Sequence, residues 1–142
     1  MLFNKKIESF ATFSLSITGM RYHSEYEAVC NGKSVELSEY CGFHCSDEPR
    51  RLVSRTVCDS ESLVRLLNDC RVSGWDGFHG KHPRNVKDGE MFSFEAVLDE
   101  GHRIRASGSE NFPRGFHELR RGLAELLKDG KVPEQSGSDA SE

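Results

Sequence analysis

Residues 11–18 read Ala-Thr-Phe-Ser-Leu-Ser-Ile-Thr, and this alternation of apolar and polar side chains decides the class of the fold. Successive side chains of an extended strand point to opposite faces, so Phe13, Leu15 and Ile17 share one face and the hydroxyl side chains share the other. The pattern predicts a half-buried β-strand in a sheet with one covered face.

Five further segments are predicted to complete the sheet. The pair Asn31-Gly32 separates two of them and is typical of a type I′ hairpin turn, because both central residues of that turn need a positive φ. Hairpin connections of this kind predict antiparallel neighbours. The six predicted strands lie at 11–18, about 22–30, around Val35 and Leu37, roughly 52–58, 92–98, and around Ile104 and Ala106.

Two amphipathic segments predict helices. The first starts at a capping Asp59 or Ser60 and ends near Cys70. The second has Pro113 in its first turn, where the missing N–H costs nothing, and Gly130 just after its end. The apolar stripes are Leu63, Leu66, Leu67 and Cys70 in the first helix, and Phe116, Leu119, Leu123, Leu126 and Leu127 in the second.

The predicted element order is β-β-β-β-α-β-β-α, without the strand–helix–strand alternation of parallel sheets. It predicts an α+β fold in which a mainly antiparallel sheet of about six strands carries both helices on one face. We expect a single domain over residues 1–130. The tail 131–142 is acidic and polar, has no apolar periodicity, and is expected to be disordered.

The overall composition excludes several classes of function. The chain has 142 residues and a formal net charge of −4, whereas proteins that bind nucleic acids are usually strongly basic. Basic residues gather toward the C-terminal end, but acidic residues are interleaved with them. No stretch approaches the roughly 20 apolar residues of a membrane span. We therefore expect neither a nucleic-acid partner nor insertion in a membrane.

The chain has five cysteines and no evident export signal, because the two lysines near its start precede an alternating strand and not an apolar block. An odd number of cysteines without an export signal favours reduced thiols and a cytoplasmic location. The cysteines are Cys30, Cys41, Cys45, Cys58 and Cys70.

The longest segment without a predicted element runs from Val72 to Gly89. Loops of this length in compact domains are usually functional or disordered, and its aromatic and histidine content argues against disorder. Trp and Arg are also enriched at binding hot spots. We expect a non-enzymatic module that presents residues 75–89 to a protein or small ligand, with the two aromatic residues as anchors or as support from beneath. The candidate binding residues are Trp75, Asp76, Phe78, His79, His82 and Arg84.

A small zinc-binding protein is the alternative. Cys41 and Cys45 have the spacing of paired zinc ligands, and His79 with His82 would complete a set of four. This reading requires that the two segments meet in space. Otherwise no cofactor is expected.

No motif of an enzyme is evident. The chain lacks the Gly-x-Ser-x-Gly sequence of a nucleophile elbow, a P-loop and a dinucleotide-binding motif. A cysteine–histidine pair can be drawn in many ways, and Cys58 and Cys70 occupy core-like positions. The segment from Ser107 to Asn111 reads as an ordinary turn. We therefore assign no catalytic residue.

Three motifs in the C-terminal half support a resemblance. They are Trp75-Asp76-Gly77-Phe78, then Asp88-Gly89 followed by Phe92-Ser93, and Ala106-Ser107-Gly108-Ser109 followed by Phe112-Pro113. On these motifs the chain resembles an uncharacterised family of small bacterial proteins, although Glu110 stands where the family tends to have Asn. The resemblance implies a single α+β unit of bacterial or phage-like origin and no catalytic residues. A phage-encoded inhibitor of a host system is a further alternative.

Overall fold

The computed structural model describes residues 6–19, 22–42, 50–85, 89–98 and 101–128. These residues form an α+β arrangement of seven strands and two α-helices, with a short 3-10 turn at Val72–Gly74. The elements are β1 (Phe10–Thr18), β2 (His23–Asn31), β3 (Ser34–Gly42), β4 (Arg51–Asp59), α1 (Ser60–Asp69), β5 (His79–Gly80), β6 (Met91–Leu98), β7 (Arg103–Ser109) and α2 (Phe116–Lys128).

All seven strands belong to one sheet in the order β4-β3-β2-β1-β6-β7-β5. Every neighbouring pair is antiparallel except β5 and β7, which run parallel. The predicted α+β class and the mainly antiparallel sheet are therefore confirmed. The seventh strand lies in the stretch predicted to be irregular, where His79 pairs with Ser107 and Gly80 with Gly108.

The alternation in β1 gives the sheet two different faces. Phe13, Leu15 and Ile17 are buried, and we call the face that carries them the inner face. Ser14 and Ser16 lie between them on what we call the outer face, and both are only partly buried. The half-buried strand predicted from residues 11–18 is thus the centre of the sheet.

Both helices contribute side chains to the hydrophobic core. Buried leucines of both helices, such as Leu63 and Leu123, belong to the same hydrophobic cluster as the inner-face residues of the sheet. Both helices contact β3 and β4, and they contact each other. No helix in the described part of the chain is long and apolar enough to cross a membrane.

The start of the first helix matches its sequence signal, whereas the turn between β2 and β3 differs from the predicted one. The side chain of Asp59 accepts a hydrogen bond from the Ser62 N–H at 3.1 Å, as expected of an N-cap. The β2–β3 turn was predicted at Asn31-Gly32, but Asn31 pairs with Ser34, so Gly32 and Lys33 are its central residues. Gly32 has a φ of 69° and Lys33 has no positive φ. This pattern excludes type I′ and is that of type II′.

The second helix begins at Phe116, not in a first turn around Pro113. Gly115 has a φ of 92°, so it cannot belong to a right-handed helix. The carbonyl of Gly115 accepts the first intrahelical hydrogen bond, from the Leu119 N–H at 2.9 Å. The glycine therefore turns the chain abruptly into α2.

Several predictions concern residues outside the described ranges. These are the tail 131–142, the C-terminal position of Gly130, residues 86–88 of the predicted binding loop with the motif residue Asp88, and the zinc ligand Cys45.

Gly115 also determines how closely the two helices approach, because a Cβ there would collide with the backbone carbonyl of Cys70 at the end of α1. We expect Gly115→Ala to lower the free energy of unfolding by about 3 kcal/mol or more, since it combines a positive φ with a backbone clash. Urea denaturation followed by circular dichroism measures this.

Gly74→Ala is the matched control. Gly74 has no positive φ, and no atom lies within 4 Å of the added Cβ. A change within about 0.5 kcal/mol is expected. Equal losses in the two variants would show that the contact at Gly115 is not what limits the approach of the helices.

Candidate functional site

Trp75 supports the predicted binding loop from beneath. Its side chain is 2% exposed, and its indole Nε1–H donates a hydrogen bond of 2.9 Å to the carbonyl of Arg114. The indole ring lies edge-on to the ring of Phe94, with 5.0 Å between the ring centroids, and the centroid of the Phe116 ring is 6.3 Å away. A buried indole with a satisfied N–H is a structural anchor, so Trp75 is not accessible to a partner in this conformation.

The next residues are attached to the side of β7. The N–H of Gly77 donates to the carbonyl of Arg105 at 2.9 Å, and the N–H of Ser107 donates to the carbonyl of Phe78 at 3.1 Å. The carboxylate of Asp76 accepts a hydrogen bond from the N–H of Arg105 at 3.0 Å. These three contacts align the segment with the strand and hold the following residues at the sheet edge.

The two histidines of this segment meet two serines of β7. The His79 Nδ1 lies 3.4 Å from the Ser107 hydroxyl, and the His82 Nδ1 lies 2.7 Å from the Ser109 hydroxyl. Both serines alternate with buried Ile104 and Ala106 and therefore lie on the outer face. The imidazoles and hydroxyls thus form one polar surface at the sheet edge.

Two glycines make this edge possible. A Cβ on either Gly80 or Gly108, which pair with each other, would collide with the backbone carbonyl of Asn111. The Asn111 side-chain amide in turn donates to the carbonyl of Lys81 at 3.3 Å. The corner at Asn111 therefore packs against both strands and fixes the start of the segment that carries Lys81 and His82.

The polar surface borders an open cleft of about 400 Å³. Among the described residues, the lining includes two histidines, one lysine and two serines, and no acidic residue. The lining residues are His79, Gly80, Lys81, His82, Met91, Phe92, Ser107, Gly108 and Ser109.

The carboxylates nearest in sequence have other partners. Glu110 accepts a hydrogen bond from the Glu90 N–H at 2.7 Å. Glu90 forms an ion pair with Arg120 at 3.0 Å and accepts a hydrogen bond from the Tyr22 hydroxyl. Neither acid lines the cleft, so its side chains can interact with a negatively charged group.

The structure distributes the six candidate binding residues among different positions. His79 and His82 line the cleft together. Phe78 is half-buried and packs against Phe92, with 6.1 Å between the two ring centroids. Asp76 is exposed and accepts the N–H of Arg105, while Arg84 is exposed and does not line the cleft.

Sequence reasoning missed Lys81, Ser107 and Ser109 as site residues. The sequence predicted a turn from Ser107 to Asn111, but β7 runs to Ser109, so the two serines lie two positions apart in a strand and share one face. No local signal indicates that residues 79–82 lie beside them, because only the pairing of β5 with β7 brings the segments together.

Cys41 and the histidines predicted as zinc ligands do not meet. Cys41 lies in β3, whereas His79 lies in β5, with β2, β1, β6 and β7 between them. Five strand spacings of about 4.8 Å put the two strands roughly 24 Å apart. A single ion cannot bind Cys41 and the histidines together. Within the described ranges, no group of three or more His, Cys, Asp or Glu side chains is close enough to hold a metal ion.

The cysteines of the core have thiols that resist ionisation. Burial, assisted by the nearby Asp59, raises the pKa of Cys58. Burial also raises the pKa of Cys70 to about 11, with Glu118 and Asp69 contributing. A reactive cysteine needs the opposite shift, since the thiolate is the nucleophile.

Comparisons with protein-family models, curated proteins and solved structures found no match for this chain.

The thiol environments predict an order of alkylation by iodoacetamide near neutral pH. Cys41 is partly exposed and its Sγ lies 3.7 Å from the Arg51 guanidinium, whereas Cys70 is 2% exposed. We expect Cys41 to react at least about tenfold faster than Cys70. Peptide mapping by mass spectrometry over a time course measures both rates.

The pH dependence gives a second readout. Because the thiolate of Cys70 forms only as the pH approaches about 11, its labelling in the folded protein should rise steeply in that direction. Urea-unfolded protein is the control, in which the two rates should converge. Preferential labelling of Cys70 in the folded protein would contradict this description of the core.

Proposed function

We propose that this protein is a non-enzymatic binding module whose cleft at the β5–β7 edge takes a small anionic ligand. The single observation that carries the proposal is the lining: among the described residues it includes Lys81, two histidines and two serines beside the apolar Met91 and Phe92, and no acidic residue. The chain as a whole is acidic, with a formal net charge of −4. A local surface of the opposite character is therefore a specific feature of this edge.

The side chains of the lining favour a ligand that carries carboxylate or phosphate groups. Lysine donates as a compact positive charge, and hydroxyls and imidazole N–H groups add directional hydrogen bonds to anionic oxygens. Such charge-assisted hydrogen bonds are stronger than neutral ones. The cleft volume of about 400 Å³ falls at the small end of the range of ligand pockets.

The way in which the site is supported favours a preformed cleft. Trp75 and Phe78 pack into the core below it, and backbone hydrogen bonds to β7 fix the segment. Binding to a preformed surface avoids the entropic cost of ordering a loop. His79 and His82 keep the role of polar contacts that the sequence predicts for them, and Lys81 joins them.

We further infer that both helices cover the inner face of the sheet. Support comes from their shared contacts with β3 and β4 and from the single cluster that their leucines form with inner-face residues. In this arrangement no described helix lies on the outer face beside Ser107 and Ser109. A ligand therefore has access to the cleft from the solvent side.

The probes are inorganic phosphate and citrate, titrated into ¹⁵N-labelled full-length protein and followed by NMR. We expect shifts in the amide signals of residues 79–82 and 107–109 and weaker binding as salt is added. Lys81→Ala and His82→Ala should each weaken the binding of the responding probe at least about fivefold, because each removes a charge-assisted or directional hydrogen bond.

Lys33→Ala is the matched control, since Lys33 is an exposed lysine in the β2–β3 turn far from the cleft. It should leave the affinity unchanged. Arg84→Ala should have less effect than Lys81→Ala because Arg84 does not line the cleft. If neither probe shifts signals at the cleft, or if Lys33→Ala weakens binding as much as Lys81→Ala, the anionic site is wrong.

A further inference from the structure

The two ends of the sheet are protected to different degrees. At one end, β5 is a strand of two residues, which offers little backbone for pairing. At the other end, β4 has nine residues and pairs with β3 on one side only, and no described strand covers its second side. Long unpaired edges are templates for pairing with another chain, and proteins normally shorten or cover them.

The burial pattern of β4 agrees with an uncovered edge. None of its residues is buried, whereas the adjacent β3 contains buried Val35, Leu37 and Ser38. Val57 on β4 is 67% exposed, the highest exposure among the large hydrophobic residues that the structure describes as exposed. An exposed apolar side chain on an unpaired edge is the feature that a partner strand would cover.

The part of the β4 edge that can pair regularly with another strand begins after Val53. Leu52 pairs with Tyr40 and Ser54 pairs with Glu39, so Val53 is an extra residue that interrupts the ladder. From Ser54 to Asp59 the pairing with β3 is regular. This regular segment is long enough for one more strand to join the sheet.

We infer that the partner of this edge is a second copy of the chain, joined through antiparallel β4–β4 pairing about a twofold axis. In such a pair the interface is self-complementary, and one residue lies opposite its own copy. The twofold axis at Val57 places Val57 against Val57 and Arg55 against Asp59 of the other copy. Opposite charges and paired β-branched side chains are favourable cross-strand neighbours.

The other registers are less complementary. An axis at Arg55 would place two guanidinium groups in directly opposed positions, which is unfavourable. An axis at Thr56 would place Val57 opposite Arg55 and leave Asp59 opposite the irregular Val53. Only the axis at Val57 pairs the exposed valines and matches the charges. The dimer then uses residues 55–59 of each copy.

This inference rests on the β4 edge alone, which lies at the opposite end of the sheet from the cleft proposed for the ligand. The dimer and the ligand site can therefore be tested independently of each other.

Sedimentation velocity of the full-length protein over a concentration series tests the dimer. The wild type should dimerise, and Val57→Lys and Val57→Glu should each raise the dissociation constant at least about tenfold by opposing two like charges on the axis. Val29→Lys is the matched control: Val29 is 41% exposed on β2, away from the edge. It should leave the dissociation constant unchanged.

Mixing the two charged variants tests the register. With the axis at Val57, the introduced lysine and glutamate face each other, so an equimolar mixture should form a heterodimer with a dissociation constant within about fivefold of the wild-type value. Labelling one variant with ¹⁵N lets native mass spectrometry distinguish the heterodimer by mass. Thermal unfolding of each variant verifies that it is folded.

A wild type that stays monomeric at millimolar concentration overturns the inference. So does a folded Val57→Lys variant that dimerises as well as the wild type. A Val57→Glu variant that dimerises more tightly on its own would overturn the register, since it places the carboxylate opposite Arg55 and the axis at Thr56.

Discussion

The hydrogen bond from the Trp75 indole to the Arg114 carbonyl is the interaction on which the C-terminal half of this fold depends. An indole buried to this degree needs a partner for its N–H. The partner chosen here lies just before α2, so one contact ties the segment entering β5 to the entry of the second helix. Phe94 and Phe116 pack on the same ring. The position of the edge strand and the start of α2 are therefore coupled through one side chain.

The sheet that this contact completes has two ends with different chemistry. At the β5 end, glycines allow the corner at Asn111 to pack closely against the edge, and polar side chains gather on the outer face. At the β4 end, backbone groups and Val57 face solvent with no described strand beside them. A group of polar side chains suits a charged ligand, whereas an unpaired strand edge with an exposed apolar side chain suits pairing with another strand. The two proposals follow from this difference and use separate surfaces.

The motifs on which the sequence predicted a resemblance to an uncharacterised bacterial family have structural roles here. Asp76 accepts a backbone N–H, Gly77 adopts a φ of 85°, and Gly108 has no room for a side chain. Trp75 and Phe78 pack into the core. Such residues specify the attachment of a loop to a sheet edge, and they do not indicate a particular ligand. Membership of that family stays a prediction.

The sequence by itself determined the elements whose signals are local. The alternation around Phe13 predicted the central strand, and the capping position of Asp59 predicted the start of α1, because period and capping depend only on neighbouring residues. The length and composition of the segment 75–89 also marked His79 and His82 as site candidates. Only the tertiary structure decided that His79 pairs beside Ser107 while Cys41 lies roughly five strand spacings away. A strand of two residues has no period to detect, and strand order arises from packing between segments distant in the chain.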